Sequence, residues 1–267
     1  MPLLGSQRLV DEIRELEVND LNRPDAPHAL ARWSGLIYAV VVVTGIFSLS
    51  FAPDRVFAGE NDAEIVHSLV ANADLLKLSI ALEVVCYVAF LILPLTLYAL
   101  LAPAGRISAM MMVALACMSV PLGFAGLVHL LDIVRWLDGG AAQMDQAAIM
   151  SALNSYWSGM RLLAIPWGLW LIPFGWLVIR SRYTPSVLGG LLILGGVGYV
   201  ANFLGGLLVP NYADLGIASI LKAPRLSEIL ICLWLLIMGA RGLSRSRQLP
   251  AAIIADASDR GGSDETR

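Results

Sequence analysis

Six apolar stretches separated by short turns and two longer segments organise the chain: Trp33–Phe51, Leu75–Leu101, Ile107–Leu131, Leu162–Ile179, Val187–Val209 and Leu226–Ala240. At about 1.5 Å rise per residue, about 20 helical residues cross a hydrocarbon layer of about 30 Å. Most of the stretches reach that length, and the last does so if Ile217–Leu221 extends it. Lipid offers no hydrogen bonds to a backbone, so such segments span as helices. The pattern predicts an all-α fold, a six-helix transmembrane bundle with cytoplasmic N- and C-termini.

The flanks break this pattern. Residues 1–31 are polar, with Leu9, Ile13 and Leu16 on one helical face and carboxylates opposite, and Pro24 and Pro27 end that helix. This predicts a cytoplasmic N-terminal segment with an amphipathic helix, able to dock a cytoplasmic partner. Residues 32–242 form the membrane domain. Residues 243–267 carry Asp256, Asp259, Gly261, Gly262, Asp264 and Glu265 and read as a disordered cytoplasmic tail. Six acidic residues between Asp11 and Asp25 fit no secretory signal, so the first span is expected to serve as its own insertion signal.

Between the first two spans, Asn61 is placed to cap a short helix reaching Val70, with Ile65, Leu69 and Val70 toward the membrane. Before the fourth span, an interfacial helix is expected near Gln143–Leu153, and Trp136, Tyr156 and Trp157 read as interface anchors. The fifth span is rich in glycine. Gly189 and Gly196 share one face, Gly198 and Gly205 roughly the opposite one, which predicts a central helix touching at least two others. Pro94, Pro121, Pro166 and Pro173 fall inside other spans, where kinks are expected.

Composition agrees with a membrane class: 58% of residues are hydrophobic and 15% charged, with mean hydropathy +0.73. A net charge of −3 argues against a nucleic-acid binder. Cys86, Cys117 and Cys232 all lie in apolar stretches and read as buried thiols, not a disulfide framework. Loop charge sets the orientation. Arg14, Arg23, Arg32, Arg106, Arg180, Arg182, Arg241, Arg245 and Arg247 fall on one side, unaccompanied by acids in the two tight turns. Arg55, Lys77, Arg135, Arg161, Lys222 and Arg225 fall on the other, mixed with carboxylates. The positive-inside rule makes the first side cytoplasmic, and the expected location is a bacterial inner membrane.

Ionisable groups inside spans cost about 2.5–3.5 kcal/mol to insert and therefore mark interior positions with partners. Glu83 lies deepest, His129 and Asp132 stand at i and i+3 on the third span, and Arg161, Asn202 and Glu228 sit near the outer ends of the last three. All fall in the outer half. They define a candidate ligand-binding set, Glu83, His129, Asp132, Arg161, Asn202 and Glu228, for a small polar ligand that is bound or moved. The competing arrangement is a set of inter-helix ion pairs, such as Glu83 with Arg161 or Lys77. Neither a paired-cysteine nor an HExxH zinc pattern is present, nor a GxSxG nucleophile turn, so no cofactor is implied and an enzyme is disfavoured. A regulatory subunit recruiting a partner through residues 1–31 is the alternative.

The segment WGLWLIPFGWLVIRSRYTPSVLGGLLILGGVGYV, Trp167–Val200, has a distinctive cadence. A Gly-Leu-bearing span ends in Arg180-Ser181, passes a Tyr183-x-Pro185 turn and re-enters at Leu188-Gly189. With the opening ARWSGLIYAVVVVTGIF and the closing LSEILICLWLLIMGARG, it resembles a bacterial multi-pass membrane family, domain of unknown function 4386. The resemblance covers about residues 30–242 and implies an integral membrane protein of unassigned activity. Members often carry a His where this chain has Trp170, and an Arg near the Ala116–Cys117 region, so roles for those positions do not carry over.

Overall fold

A computed structural model describes residues 26–139, 145–181, 184–212 and 226–239. The segments predicted for the amphipathic helix, the Ile217–Leu221 extension and the tail lie outside these residues. Eight α-helices are described and no strand among them: α1 Ala26–Ile46, α2 Pro53–Val56, α3 Asp62–Ala71, α4 Ala73–Leu101, α5 Arg106–Asp138, α6 Gln146–Ser181, α7 Ser186–Leu208 and α8 Leu226–Met238. A π-helical turn, Phe47–Phe51, prolongs α1.

Five helices are long and apolar enough to cross a membrane, and α8, at 13 residues, is a shorter apolar helix. Outward-facing residues such as Val84, Val88, Leu91, Ile92 and Leu95 on α4 are exposed and apolar. Such a continuous oily surface belongs in lipid, not water. The helices thus support a multi-pass membrane protein.

Neighbours in the bundle run α8, α1, α4, α5, α6, α7, with a lighter α7–α8 contact closing the ring. Gly239, just past α8, sits against His28 near the start of α1. The first described helix therefore begins, and the last ends, on one side. That side also holds the tight α4–α5 connection, a 3₁₀ turn at Ala102–Ala104, and is called the hairpin end below. The opposite side carries the α2–α3 crossover.

Local chemistry sets the crossover. Asn61 caps α3, its side chain accepting a 3.0 Å hydrogen bond from the Glu64 amide, while the Glu64 carboxylate accepts from the Glu60 amide at 2.8 Å. This reciprocal arrangement satisfies amides that the first helical turn leaves over. Leu69 is fully buried, so α3 turns it onto the bundle and only Val70 of the expected lipid-facing set is widely exposed.

Two further expectations change. The interfacial helix and the fourth span are one continuous helix, α6, of 36 residues. Pro166 and Pro173 do not divide it. The glycine-rich α7 touches two helices as expected, α6 closely and α8 lightly, but it is not central, and Leu194, Val197 and Leu204 on it stay exposed. Two of its glycines, Gly189 and Gly196, let α6 approach closely. A methyl at Gly196 would lie 2.5 Å from the Gly168 carbonyl oxygen, and one at Gly189 would lie 2.5 Å from that of Gly175. The two backbones touch at matched positions, and side chains larger than hydrogen would force them apart.

Candidate functional site

The helix ends next to the crossover enclose a cavity of ≈ 950 Å³. α1 contributes Tyr38, Gly45 and Ser50; α4 contributes Cys86, Tyr87 and Phe90; α6 contributes residues from Trp157 to Trp170. Tyr199, Asn202, Phe203 and Gly206 come from α7, Tyr212 follows it, and Leu226, Glu228 and Ile229 open α8. α5 contributes nothing. The volume lies at the upper end of the range of about 300–1,000 Å³ usual for small-molecule sites.

The floor is aromatic. Trp170 is fully buried, stacks on Phe174 with centroids 5.3 Å apart, and meets Phe90 edge-on at 5.2 Å. Tyr38 tilts against the same indole at 6.3 Å. These rings fill the bundle axis and end the cavity there. Toward the hairpin end, a void of ≈ 10 Å³ lies between apolar residues such as Leu97, Phe174 and Leu235 and the polar Ser181 and Thr184.

Two carboxyl groups are each gripped by two tyrosines. Glu228 Oε2 accepts from the Tyr38 hydroxyl at 3.1 Å and Oε1 from the Tyr199 hydroxyl at 3.3 Å, so α8 is tied to α1 and α7 on the cavity wall. Glu83, 1% exposed, accepts from Tyr87 at 2.9 Å and from Tyr156 at 3.0 Å. Hydroxyl donors thus satisfy a polar group that would otherwise be costly to bury.

The six residues singled out from the sequence therefore separate. Arg161, Asn202 and Glu228 line the cavity. Glu83 stands one layer behind it, touching the cavity only through Tyr87. Its partners are tyrosines, neither Arg161 nor Lys77. Lys77 pairs instead with Asp138 at 2.7 Å. Asp132 and His129 are on α5, away from the cavity, and Asp132 is held by Arg135 at 2.8 Å. Among the described residues, no three His, Cys, Asp or Glu side chains are grouped as metal ligands.

Arg161 is exposed, and its Nη2 donates to Ser158 Oγ at 3.1 Å. No acidic partner lies within ion-pair distance of it among the described residues. Asn202 Oδ1 accepts from the Tyr212 hydroxyl at 2.9 Å. The tyrosines are what residue-type reasoning missed. Tyr156 is fully buried, not an interface anchor, and Trp157 packs edge-on against it and Phe57. The available signal was helical spacing: Tyr87 stands at i+4 from Glu83, directly above it on one face.

A family model spans residues 33–239, from within α1 to just past the end of α8. The chain belongs to the DUF4386 family. Its description is domain of unknown function, so membership names the fold unit and leaves the activity open. The DUF4386 match includes every helix that lines the cavity. No curated protein matches the chain, and no solved structure does.

Proposed function

We propose that this DUF4386 protein is a six-span bacterial inner-membrane protein with cytoplasmic termini. It binds a small solute carrying a polar group in the cavity near the crossover. The observation behind this reading is that Arg161, Asn202 and Glu228, from three helices, line one cavity of ≈ 950 Å³. Polar side chains in a bundle interior are costly and concentrate where ligands pass. Glu83 supports the wall through Tyr87. His129 and Asp132 belong to the outer rim of α5 on this reading and serve the fold.

Orientation rests on charge. Arg106 and Arg180 are exposed at the hairpin end, whereas Arg55, Lys77 and Arg135 share the crossover end with Asp54, Glu60, Asp62, Glu64, Asp132 and Asp138. The positive-inside rule then turns the cavity outward. Binding is favoured over conduction because buried Phe174, Leu97 and Leu235 pack beyond Trp170 and leave a void of ≈ 10 Å³ beside Ser181 and Thr184.

Two glycines of α7 make a matched test. A Cβ added at either Gly206 or Gly190 meets nothing within 4 Å, but of the two Gly206 lines the cavity. Protein purified in mild detergent is analysed for co-purifying small molecules by mass spectrometry. The wild type and Gly190→Phe should carry a species that Gly206→Phe lacks. Identical small-molecule content in all three would defeat the reading.

A further inference from the structure

From the distribution of charge and aromatic surface in this cavity, we propose that its ligand is an amphiphilic anion. An acidic head sits at Arg161 and an apolar body lies against Val41, Val42, Trp167 and Phe203. This rests on the cavity being a binding site and specifies what it takes.

The rim donates. The Arg161 guanidinium spends one contact on Ser158 and has no acidic partner among the described residues. The antiparallel register set by the Gly168–Gly196 and Gly175–Gly189 contacts places Asn202 on α7 level with Leu162 on α6, beside Arg161. Asn202 Oδ1 accepts from Tyr212, which leaves the amide nitrogen as the unspent donor of this lining side chain. A guanidinium and an amide nitrogen at one level make a donor pair suited to a carboxylate or phosphate.

Deeper in, the surface changes character. Tyr38 and Trp170 are already buried, so the surface left for a ligand is that of the half-buried Trp167, Phe203, Val41 and Val42. A ligand of only a few polar atoms would leave most of this surface without a partner. A hydrocarbon or aromatic body would bury it. Among the described lining residues Glu228 is the acid, and both of its oxygens are turned onto tyrosine hydroxyls. The donors open to an anionic head are therefore at the rim, which orients the ligand head outward and body inward.

The cavity supplies its own reporters. Trp157, Trp167 and Trp170 line it, and brominated chains quench indole fluorescence on contact. Purified full-length protein in nanodiscs of zwitterionic lipid is titrated with dibromostearate and, separately, with dibromostearyl alcohol. The alcohol reports simple partition into lipid beside exposed Trp33 and Trp176. The acid should give a saturable component with half-saturation at least tenfold below any seen with the alcohol. Arg161→Gln should weaken that component about tenfold. Arg161→Lys should retain most of it, and Gly206→Phe should remove it.

Competition by unlabelled lysophosphatidylglycerol or by stearate then tells a phospholipid source from a free fatty acid. Equal saturable quenching by acid and alcohol, or an unchanged preference in Arg161→Gln, would overturn the anionic class while leaving a binding cavity. Absence of saturable quenching with either probe would overturn the amphiphile itself. The small-molecule comparison of Gly206→Phe with Gly190→Phe would then decide whether the cavity binds anything.

Discussion

The Tyr156 hydroxyl lies 3.0 Å from Glu83 Oε2, joining α6 to α4 inside the bundle. The Tyr87 hydroxyl reaches Oε1 of the same carboxyl group at 2.9 Å. Both donors and the acceptor are buried, so removing one hydroxyl leaves a carboxyl oxygen with no water to replace it. An unsatisfied buried group costs about 1–3 kcal/mol. Tyr156→Phe is therefore expected to lower unfolding stability in detergent by that amount. Glu83→Gln, which keeps an acceptor oxygen, should cost less than Glu83→Ala. Thermal denaturation of the four proteins checks the order, and an unshifted midpoint for Tyr156→Phe would show that the pair contributes nothing.

Gly123 on α5 is the surface on which the Tyr87 ring lies. A methyl group added there would run into the ring itself. Overpacking of this kind costs about 1–3 kcal/mol. Gly123→Ala should also push the Tyr87 hydroxyl off Glu83 and shift the cavity wall that Tyr87 forms. The expected outcome is a lowered melting temperature together with weaker quenching by the brominated acid. Gly123→Ala with wild-type stability would contradict the close α4–α5 approach.

Gly196 and Gly190, six residues apart on α7, should respond oppositely. Gly196 abuts the Gly168 carbonyl of α6, so Gly196→Ala must separate two backbones and should destabilise by more than about 1 kcal/mol. Gly190 has open space around it, and alanine is the better helix former, so Gly190→Ala should be neutral or mildly stabilising. Parallel melting curves of the two variants make the comparison.

These contacts show which features could be read from residue order. Five spans were legible because about twenty apolar residues in a row have few uses other than crossing lipid. The α3 cap was legible because Asn61 and Glu64 satisfy each other within four residues. The position of α7 was not, since glycine on several faces permits several partners and only the α6 surface decides. The site was half legible. Arg161, Asn202 and Glu228 stand out as polar residues near span ends, whereas Tyr38, Tyr156 and Tyr199 look like interfacial aromatics until the fold brings each against a carboxyl group. Glu83 was expected to need a cation. Two phenols meet the same need, and residue type gives no sign of that because tyrosine is ordinary at either depth.

Orientation is open to a direct chemical test. Cys86 and Cys232 are buried, with Sγ 3.5 Å from the Val41 carbonyl oxygen and 3.7 Å from that of Gly35 respectively. Replacing these two and Cys117 by alanine removes small weak donors and should leave the bundle folded. Single cysteines are then placed at Glu60 and at Arg106, both exposed and at opposite ends of the bundle. On intact cells with a permeable outer envelope, a membrane-impermeant maleimide should label Glu60→Cys readily. Arg106→Cys should stay unlabelled until the inner membrane is broken, because the basic hairpin end is held on the cytoplasmic side. The opposite labelling order would place the Arg161 rim of the cavity toward the cytoplasm, and its ligand would then have to be sought there.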